Sequence, residues 1–453
     1  MNNPRLSFFG GVGSTTGANI MLEYEDRKIL IDCGLFQGGK GEKNFEPFKY
    51  DPKSVDFLII THAHMDHIGR VPKLVREGFK GKIISTNETM ELARPMLEDA
   101  LKVMRTKHPD KVLFDEKDIE KTFSLWEGKN YEEKIELFSD CFLEMQNAGH
   151  ILGSAICNIT CGSKKIAFTG DLGNSPSLLL PDTEFPKDVD YLVMESVYGD
   201  RNHDSKEDRR EKLKQAILRS AKKNGATVIS VFSLERAQVL LYELNNMIED
   251  KEIPQIPVFF DSPLALKVTD IYKKYEKDFK ESVKKEIKGG DNIFDFPGLH
   301  IVERTPESFE IENINGAKII LAGSGMSEGG RIVNHEAHYL PDPKATIILI
   351  GYQAVGTLGR LLQDGVKEVF MDKNNDNKKE KIKVKATIEN ITGYSSHKDS
   401  EHLLEFVEKV SPHKKVFVIM GEPKSSLFLT QHIRDYLDID AVYPEEGKVY
   451  ELK

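Results

Sequence analysis

Residues 61–67 carry the clearest chemical signal in the sequence. They read THAHMDH and directly follow an apolar run that is typical of a β-strand. Four candidate metal ligands lie within six residues: His62, His64, Asp66 and His67. Imidazole and carboxylate groups suit zinc or a similar divalent ion, and open coordination positions would make such a site catalytic. A polar loop with Asp66 as a helix cap is the alternative, and four ionisable residues this close together argue against it.

Two later positions extend the signal. His150 in NAGHILGSA and Asp171 in TGDLG each lie in a glycine-bounded turn next to a predicted strand. Taken alone, such a histidine is more often a hydrogen-bonded loop residue, and such an aspartate is as readily a turn residue. The order of HxHxDH, a lone histidine and then TGD is far more specific than any part. A two-metal hydrolase requires a carboxylate that bridges metal ions about 3.5–4 Å apart.

These motifs resemble, in this order, those of the metallo-β-lactamase superfamily. Asp32 in LIDCG matches the first motif, HAHMDH the second, His150 the third and Asp171 the fourth. The resemblance implies that Asp32 orients the ligand loop and does not bind metal itself. It also implies two zinc ions per chain, bridged by Asp171. The other implied ligands are His62, His64 and His150 for one ion, and Asp66 and His67 for the other.

Later motifs resemble those of the β-CASP ribonucleases, a branch of that superfamily. Glu195 in MESVYGDR is similar to their motif A, and His397 in GYSSHKD is similar to their motif B. The phrases GSGMSEGGR and GYQAVGTLGR are similar to parts of the family's inserted domain. The pattern is most similar to compact bacterial and archaeal enzymes related to the mRNA 3′-end-processing endonuclease. We expect no N-terminal RNA-binding KH module of the kind that some archaeal relatives carry.

Motif C departs from the family pattern. The family has a histidine in a VHGE phrase that supplies the last ligand of the second zinc, whereas this chain reads VIMGE with Met420 at that position. A thioether is a soft, neutral donor that suits Cu(I) better than Zn²⁺. We therefore expect Asp66, His67 and the Asp171 bridge alone to hold the second ion, which should bind more weakly or exchange more readily.

The activity implied by the resemblance is hydrolysis of single-stranded RNA by a metal-bound hydroxide. The candidate catalytic residues are Asp66, Glu195 and His397, with His397 donating a proton to the leaving oxygen while Glu195 holds its imidazole. Endonuclease and 5′-exonuclease modes both stay open. Two alternatives are a promiscuous metallohydrolase acting on β-lactams, esters or DNA, and an RNA-binding protein whose catalysis Met420 has weakened. Because similar ribonucleases often dimerise, we also expect a homodimer.

Candidate substrate-binding residues lie in the predicted insertion. They are Arg236, Ser324, Gly325 and Arg331. A guanidinium can bind two phosphate oxygens, and a serine–glycine pair adds hydroxyl and backbone N–H donors. Residues 267–288 include eight lysines, but five acidic residues share the segment, so a solvated helix face is favoured there. His335 and His338 are interpreted as structural residues and not as a metal-binding pair.

The elements that must position these residues read as one α/β domain inserted into another. Short strands with glycine turns occupy the first part, helix and strand alternate after Tyr198 in the pattern of a parallel sheet, and strands return from Ala386. The resemblance implies an αββα metallo-β-lactamase sandwich with an inserted parallel α/β β-CASP domain. The predicted boundaries are residues 1–200 and 386–453 for the sandwich and 201–385 for the insertion.

Composition limits the remaining classes of function. The 453 residues are 39% hydrophobic and 30% charged, enough for a sizeable core, and the net charge of −10 argues against a surface built for duplex DNA. No stretch approaches the roughly 20 apolar residues of a membrane span, and the N-terminus lacks a signal-peptide pattern. Four cysteines without a CxxC pair indicate reduced thiols. We expect a cytoplasmic protein that has no membrane partner.

Overall fold

The computed structural model describes residues 3–107, 110–351, 353, 356–372 and 379–453. Positions 352, 354 and 355 of the GYQAVGTLGR phrase lie outside the described residues. The strands are β1 (Arg5–Gly10), β2 (Asn19–Tyr24), β3 (Arg27–Ile31), β4 (Phe57–Ile59), β5 (Lys82–Thr86), β6 (Trp126–Lys129), β7 (Ile135–Phe138), β8 (Cys141–Asn147), β9 (Ala155–Cys161), β10 (Lys164–Phe168), β11 (Tyr191–Met194), β12 (Ala226–Ser230), β13 (Val258–Asp261), β14 (Leu299–Ile301), β15 (Lys318–Ala322), β16 (Thr346–Ile350), β17 (Glu368–Asp372), β18 (Lys379–Lys383), β19 (Thr387–Ile391), β20 (Lys415–Val418), β21 (Ala441–Val442) and β22 (Val449–Glu451).

The α-helices alternate with these strands over most of the chain. They are α1 (Met65–Ile68), α2 (Val71–Arg76), α3 (Asn87–Lys107), α4 (Glu116–Ser124), α5 (Lys206–Lys222), α6 (Arg236–Glu249), α7 (Pro263–Lys274), α8 (Glu281–Lys288), α9 (Thr305–Glu310), α10 (Ile332–Tyr339), α11 (Leu358–Gln363), α12 (Ser400–Val410) and α13 (Pro423–Leu437). In the described part of the chain, none of them is both long enough and apolar enough to cross a membrane.

Two compact units divide the chain. One comprises residues 1–202 and 397–453, and the other comprises residues 203–396. The first boundary lies close to the predicted residue 200, and the second lies at residue 396, later in the chain than the predicted residue 385. The reason is that β19 pairs in parallel with β16, inside the inserted unit. Residues 386–396 therefore belong to the second unit and not to the sandwich.

The first unit is a sandwich of two seven-stranded sheets with helices on both outer faces. The strand orders are β22-β1-β2-β3-β4-β5-β6 and β21-β20-β11-β10-β9-β8-β7. Residues of both sheets, Leu22 and Phe168 among them, share one buried apolar cluster between the sheets. On the outer faces, Leu58 packs with residues of α2, α3 and α4, and Leu192 packs with residues of α12 and α13. The predicted αββα sandwich is thus confirmed.

Strand β11 shows how the sequence produces this layering. Tyr191 and Val193 join the cluster between the sheets, whereas Leu192 and Met194 join the cluster under α12 and α13. Alternate residues of a strand point to opposite faces, so a strand that is covered on both faces is apolar throughout. The run YLVM has this character and is followed directly by Glu195. The polar residues that end such buried strands are therefore collected at one edge of the sandwich.

The second unit contains a six-stranded sheet in the order β14-β13-β15-β12-β16-β19. All its neighbouring strands are parallel, and β12, β15 and β16 are buried along their whole length. Parallel neighbours need long crossover connections, which helices such as α6 and α10 supply here. The predicted inserted parallel α/β domain is confirmed. A separate antiparallel ribbon of β17 and β18 belongs to the same unit.

Candidate metal centre

Three histidines and one aspartate form the first ligand cluster. His62 and His64 follow β4, His150 precedes β9 and Asp171 follows β10. The Nδ1 atom of His64 lies 3.1 Å from the Nε2 atoms of both His62 and His150. The Oδ2 atom of Asp171 lies 3.4 Å from His62 Nε2 and 3.6 Å from His150 Nε2. One donor atom from each residue lies within 4.8 Å of the others, which is close enough to hold one cation.

Burial sets the protonation state of these histidines. Removing an imidazole from water disfavours its charged form, and burial lowers the pKa of His62, His64 and His150. A neutral ring keeps a lone pair on one nitrogen, and this is the form that binds zinc. The first cluster therefore offers three neutral nitrogen donors and one carboxylate oxygen.

The second cluster consists of Asp66, His67 and the other oxygen of Asp171. His67 Nε2 lies 3.4 Å from Asp171 Oδ1 and 3.9 Å from Asp66 Oδ2. Both His67 Nε2 and Asp171 Oδ1 are buried, and neither has a hydrogen-bond partner among the described residues. Unsatisfied buried polar atoms are rare in folded proteins, and a cation between these two would satisfy both. Asp171 presents a different oxygen to each cluster, as a bridging ligand does.

The donors of the two clusters fit a divalent metal ion of borderline softness. Four imidazoles and two carboxylates suit zinc, and they are less suited to calcium or magnesium, which prefer all-oxygen sites. A third group of donors in the described residues, Asp171, Glu195 and His397, is also compact enough for a cation. In that group, however, Glu195 already binds a backbone N–H and a histidine.

Asp32, directly after β3, fixes the orientation of His67. Its Oδ2 atom lies 2.7 Å from His67 Nδ1 and accepts a hydrogen bond from the Thr61 hydroxyl at 2.8 Å. Its Oδ1 atom accepts the Thr61 backbone N–H. A carboxylate at Nδ1 keeps the proton on that nitrogen and leaves Nε2, which faces the second cluster, as a lone-pair donor. Asp32 therefore lies behind a ligand and outside both clusters.

A glutamate–histidine pair lies beside the first cluster. His397 Nδ1 is 3.2 Å from both carboxylate oxygens of Glu195, and its ring centre is 4.6 Å from that of His150. Glu195 is itself held, because its Oε1 atom accepts the Leu172 backbone N–H at 2.6 Å. The His397 side chain is 20% exposed. The Glu195 carboxylate therefore engages His397 through its Nδ1 atom.

Met420 lies next to the second cluster but within the apolar core. It is buried in the cluster between the two sheets, and it lines one small cavity together with Asp32, His67 and Glu195. Its sulfur lies against Gly11, where an added Cβ would come within 2.6 Å of it. Its backbone has a φ of 49°, which is uncommon for methionine and more readily adopted by histidine. The position thus has a backbone that suits a ligand histidine and a side chain that packs as a hydrophobe.

The predicted phosphate-binding residue Arg331 is engaged elsewhere in the second unit. Its guanidinium forms a 2.5 Å ion pair with the buried Asp261 and donates to the backbone carbonyls of Val302 and Glu303. Asp261 also accepts His335 Nε2 at 2.7 Å. Among the described residues, no group of candidate metal ligands includes His335 or His338. Both Nη atoms of Arg331 therefore already donate to groups within the second unit.

The other substrate-binding candidates lie at the carboxyl ends of β12 and β15. Arg236 begins α6 and donates to the Ser396 hydroxyl at 2.8 Å. The Ser324 hydroxyl accepts the Glu328 backbone N–H at 3.2 Å. Gly325 lies so close to the Phe232 ring that an added Cβ would overlap it. Ligands of open α/β sheets commonly bind at the carboxyl ends of strands.

Two residues beside the clusters carry roles that the sequence analysis did not assign. The Thr61 hydroxyl lies 3.1 Å from His62 Nδ1 and also donates to Asp32, so it links a histidine of the first cluster to the carboxylate behind His67. Lys398 is buried directly after His397, donates to the Ser175 hydroxyl at 3.1 Å, and has its pKa lowered to about 8 by burial. Each residue is adjacent in sequence to a predicted site residue, which was the signal that could have identified it. Sequence reasoning missed both because neither threonine nor lysine is a usual zinc ligand.

Comparisons with known proteins match this architecture in every part. Residues 15–230 match the model of the metallo-beta-lactamase superfamily, residues 237–362 match the Beta-Casp domain, and residues 381–444 match the Zn-dependent metallo-hydrolase RNA specificity domain. A solved protein of unknown function from Enterococcus faecalis has the same fold, with a TM-score of 0.59 and 15% identity over 99% of this chain and 100% of that one.

Full-length relatives extend the match over nearly the whole chain. "Ribonuclease TTHA0252" of Thermus thermophilus is 34% identical over 94% of this chain and 95% of its own length. "RNase J-like protein" of Methanocaldococcus jannaschii is 31% identical over 98% and 99%. "Transcription termination factor FttA" of Pyrococcus horikoshii is 31% identical over 99% of this chain and 71% of its own. The chain therefore belongs to the metallo-β-lactamase superfamily, in its β-CASP ribonuclease family of metal-dependent hydrolases.

Proposed function

We propose that this protein is a zinc-dependent ribonuclease that hydrolyses phosphodiester bonds of single-stranded RNA at the two ligand clusters. The observation that carries the proposal is the pair of unsatisfied buried atoms, His67 Nε2 and Asp171 Oδ1, at the place where the clusters meet. The match to an RNA specificity domain and the similarity to a protein named as a ribonuclease support RNA as the substrate class.

Two zinc ions per chain are part of the proposal, with the second one weaker or more exchangeable. The proposed ligands are His62, His64 and His150 at the first position, Asp66 and His67 at the second, and Asp171 at both. Met420 supplies no imidazole, so the second position has three protein donors instead of four. When bound, the two ions supply a water-derived nucleophile and neutralise charge on the phosphoryl oxygens.

The remaining proton chemistry falls to His397 and Glu195. In the protonated state, His397 carries one proton on Nδ1, donated to Glu195, and one on Nε2, which is given to the leaving oxygen. The Glu195 carboxylate stabilises this charged imidazolium and keeps its ring oriented. The Leu172 N–H in turn fixes the carboxylate. These contacts give His397 a defined direction for proton donation.

Contacts to the RNA chain are proposed at the carboxyl ends of the strands in the second unit. Arg236, Ser324 and Gly325 stay the candidate phosphate-binding residues, since each follows a buried strand of the parallel sheet. Arg331 is the weakest of the four candidates because its donors already bind Asp261 and two carbonyls.

Cleavage of end-labelled RNA, resolved on a denaturing gel, tests the proposal. We expect cleavage that requires added zinc or manganese and that falls by more than about 100-fold in His64→Ala, because even a partner behind a ligand is worth 10–100-fold. The exposed His413→Ala is the matched control and should cleave normally. Labels at the 5′ and 3′ ends separate endonuclease from 5′-exonuclease products. β-Lactam turnover that far exceeds RNA turnover would contradict the proposal.

An RNA-binding protein with weakened catalysis is the second candidate, and Met420 is the observation that favours it. RNA binding without cleavage under every metal condition would select this candidate. A cytoplasmic location is proposed with either function, because all four cysteines are buried free thiols, including Cys141 and Cys161, whose sulfurs lie 2.8 Å apart. A homodimer is carried forward from the family resemblance, and light scattering of the purified protein tests it.

A further inference from the structure

The ribbon formed by β17 and β18 in the second unit has one face in the core and one face in solvent. Its strands are antiparallel, with Phe370 opposite Lys381 and Glu368 opposite Lys383. Val369, Met371 and Ile382 are buried in the apolar cluster of the second unit. The alternation of side chains therefore fixes which residues form the outer face.

The outer face combines one aromatic ring with a row of lysines. Phe370 is 65% exposed on this face. Lys379, Lys381 and Lys383 alternate along β18 and are all exposed. Residues two apart on a strand are about 6.7 Å apart on the same face. The row therefore presents three ammonium groups beside one ring, and the acidic positions Glu368 and Asp372 of β17 lie opposite Lys383 and Lys379.

The two strands of the ribbon carry three lysines and three acidic residues, and the net positive charge of the segment comes from the residues that flank and connect them. Residues 366–385 contain seven lysines and four acidic residues, whereas the complete chain has a net charge of −10. Lys381 forms an ion pair with Glu368, but both side chains are about half exposed, so the pair is weak and exchangeable. This local positive charge complements a polyanion.

Protection of a sheet edge is the structural alternative for such lysines. Charged side chains on edge strands do hinder pairing with other chains. That role does not require an exposed aromatic ring at the centre of the face, and the lysine stems leave Phe370 mostly in solvent. An aromatic ring with flanking cations is the combination that binds single-stranded nucleic acid, because a base stacks on the ring while the phosphates contact the cations.

We propose that the outer face of the β17–β18 ribbon binds single-stranded RNA. A base stacks on Phe370, and neighbouring phosphates contact Lys379, Lys381 and Lys383. The choice of RNA among polyanions rests on the proposed function, whereas the stacking and the charge rest on the ribbon itself. This surface would hold a stretch of RNA through contacts that are separate from the ligand clusters.

Fluorescence anisotropy with labelled oligouridine tests this surface in the His64→Ala background, where cleavage does not interfere. Phe370→Ala should weaken binding by about fivefold or more, with the salt dependence unchanged. Lys379→Gln combined with Lys383→Gln should reduce the slope of log affinity against log salt by about 1.4, since each lost phosphate contact removes about 0.7. Lys117→Gln combined with Lys121→Gln, on the exposed side of α4, is the charge-matched control and should leave the slope unchanged.

Two outcomes would contradict the proposal that the ribbon binds single-stranded RNA. Equal affinities and slopes in the ribbon variants and the α4 control would show that the ribbon does not contact RNA. Equal weakening of heparin, duplex RNA and oligouridine binding by Phe370→Ala would show that no base stacks on the ring. The cleavage assay stands apart from both, because a wild-type protein that never cuts RNA contradicts the ribonuclease proposal while ribbon-dependent binding persists.

Discussion

In the first unit, buried histidines and aspartates face a common centre where two facing ligand atoms have no hydrogen-bond partner, whereas in the second unit a comparable buried carboxylate is paired, even though His335 Nδ1 beside it also has no partner among the described residues. His67 Nε2 and Asp171 Oδ1 represent the first case. Asp261 represents the second, since it binds Arg331 and His335 at 2.5 and 2.7 Å. Both networks are buried and contain imidazole and carboxylate, so residue type alone does not separate a candidate metal site from a structural network.

The difference lies in how the charges are compensated. A buried charge is tolerated when it is paired and hydrogen-bonded, as Asp261 is. The two carboxylate oxygens of Asp171 face histidine nitrogens. Burial lowers the pKa of His62 and His150 and so favours their neutral forms. Burial also acts to lower the pKa of His67, but the carboxylates of Asp171 and Asp32 outweigh it and raise that pKa. In the proposed metal site, a cation from solution would complete the compensation. The second unit completes its compensation within the chain, and the following substitutions test that contrast.

Arg331→Ala should have the largest effect on stability. It leaves the fully buried Asp261 without its guanidinium partner, and breaking a buried pair typically costs about 3 kcal/mol or more. Thermal unfolding monitored by circular dichroism should show a clear loss, while the zinc content of the folded protein stays unchanged. Arg304→Ala removes an exposed ion pair and should leave the melting temperature nearly as it is.

The opposite result for Arg331 would restore its predicted role in substrate binding. In that case Arg331→Ala would melt like the wild type but would need more RNA to reach half-maximal cleavage. Kinetics at several RNA concentrations separate a change in KM from a change in the amount of folded protein.

Asp32→Asn should lower metal affinity by 10–100-fold, the usual cost of losing an orienting carboxylate behind a ligand. An amide at this position places a donor group against N–H or O–H donors from Thr61 and His67. The backbone should stay unchanged, because asparagine tolerates the φ of 59° found here. Competition with a chromophoric chelator measures the affinity, and Asp56→Asn, at a partly exposed carboxylate, is the control. Unchanged zinc affinity in Asp32→Asn would show that His67 needs no such support.

Met420→His should tighten the second metal ion by about tenfold or more, because it restores a fourth protein donor. Histidine also suits the local φ of 49° better than methionine does. Isothermal titration with zinc should resolve one tight and one weak site in the wild type and two tight sites in the variant. Met420→Leu, which keeps the apolar packing without a nitrogen, should titrate like the wild type. Two equally tight sites in the wild-type protein would contradict the proposed asymmetry.

The sequence indicated the six residues that the structure brings together in the two clusters, because their information is local. HxHxDH follows β4 of one sheet and TGD follows β10 of the other, and the ends of these buried strands meet at one edge of the sandwich. Arg331 was assigned to substrate because its phrase says nothing of Asp261, which lies 70 residues away. The second unit extends past the predicted residue 385 for the same reason, since the partner of β19 is the distant strand β16. Pairings between remote segments decided both points.

Glu336→Gln should have the smallest effect, and one that depends on pH. Glu336 is fully buried in α10, accepts the Ser327 hydroxyl, and has its pKa raised to about 8 by burial. The folded protein therefore keeps a proton that the unfolded chain releases near pH 4.5, so the wild type loses stability as pH rises from that value to about 8. Glutamine cannot ionise, and the variant should melt at a higher temperature than the wild type at pH 9 but not at pH 4. The exposed Glu310→Gln should show no such pH-dependent gain. If the melting temperatures of wild type and Glu336→Gln changed in parallel across this pH range, the buried carboxyl would ionise without a cost in stability. A buried charge in the second unit would then be tolerated without the kind of pairing that Asp261 has.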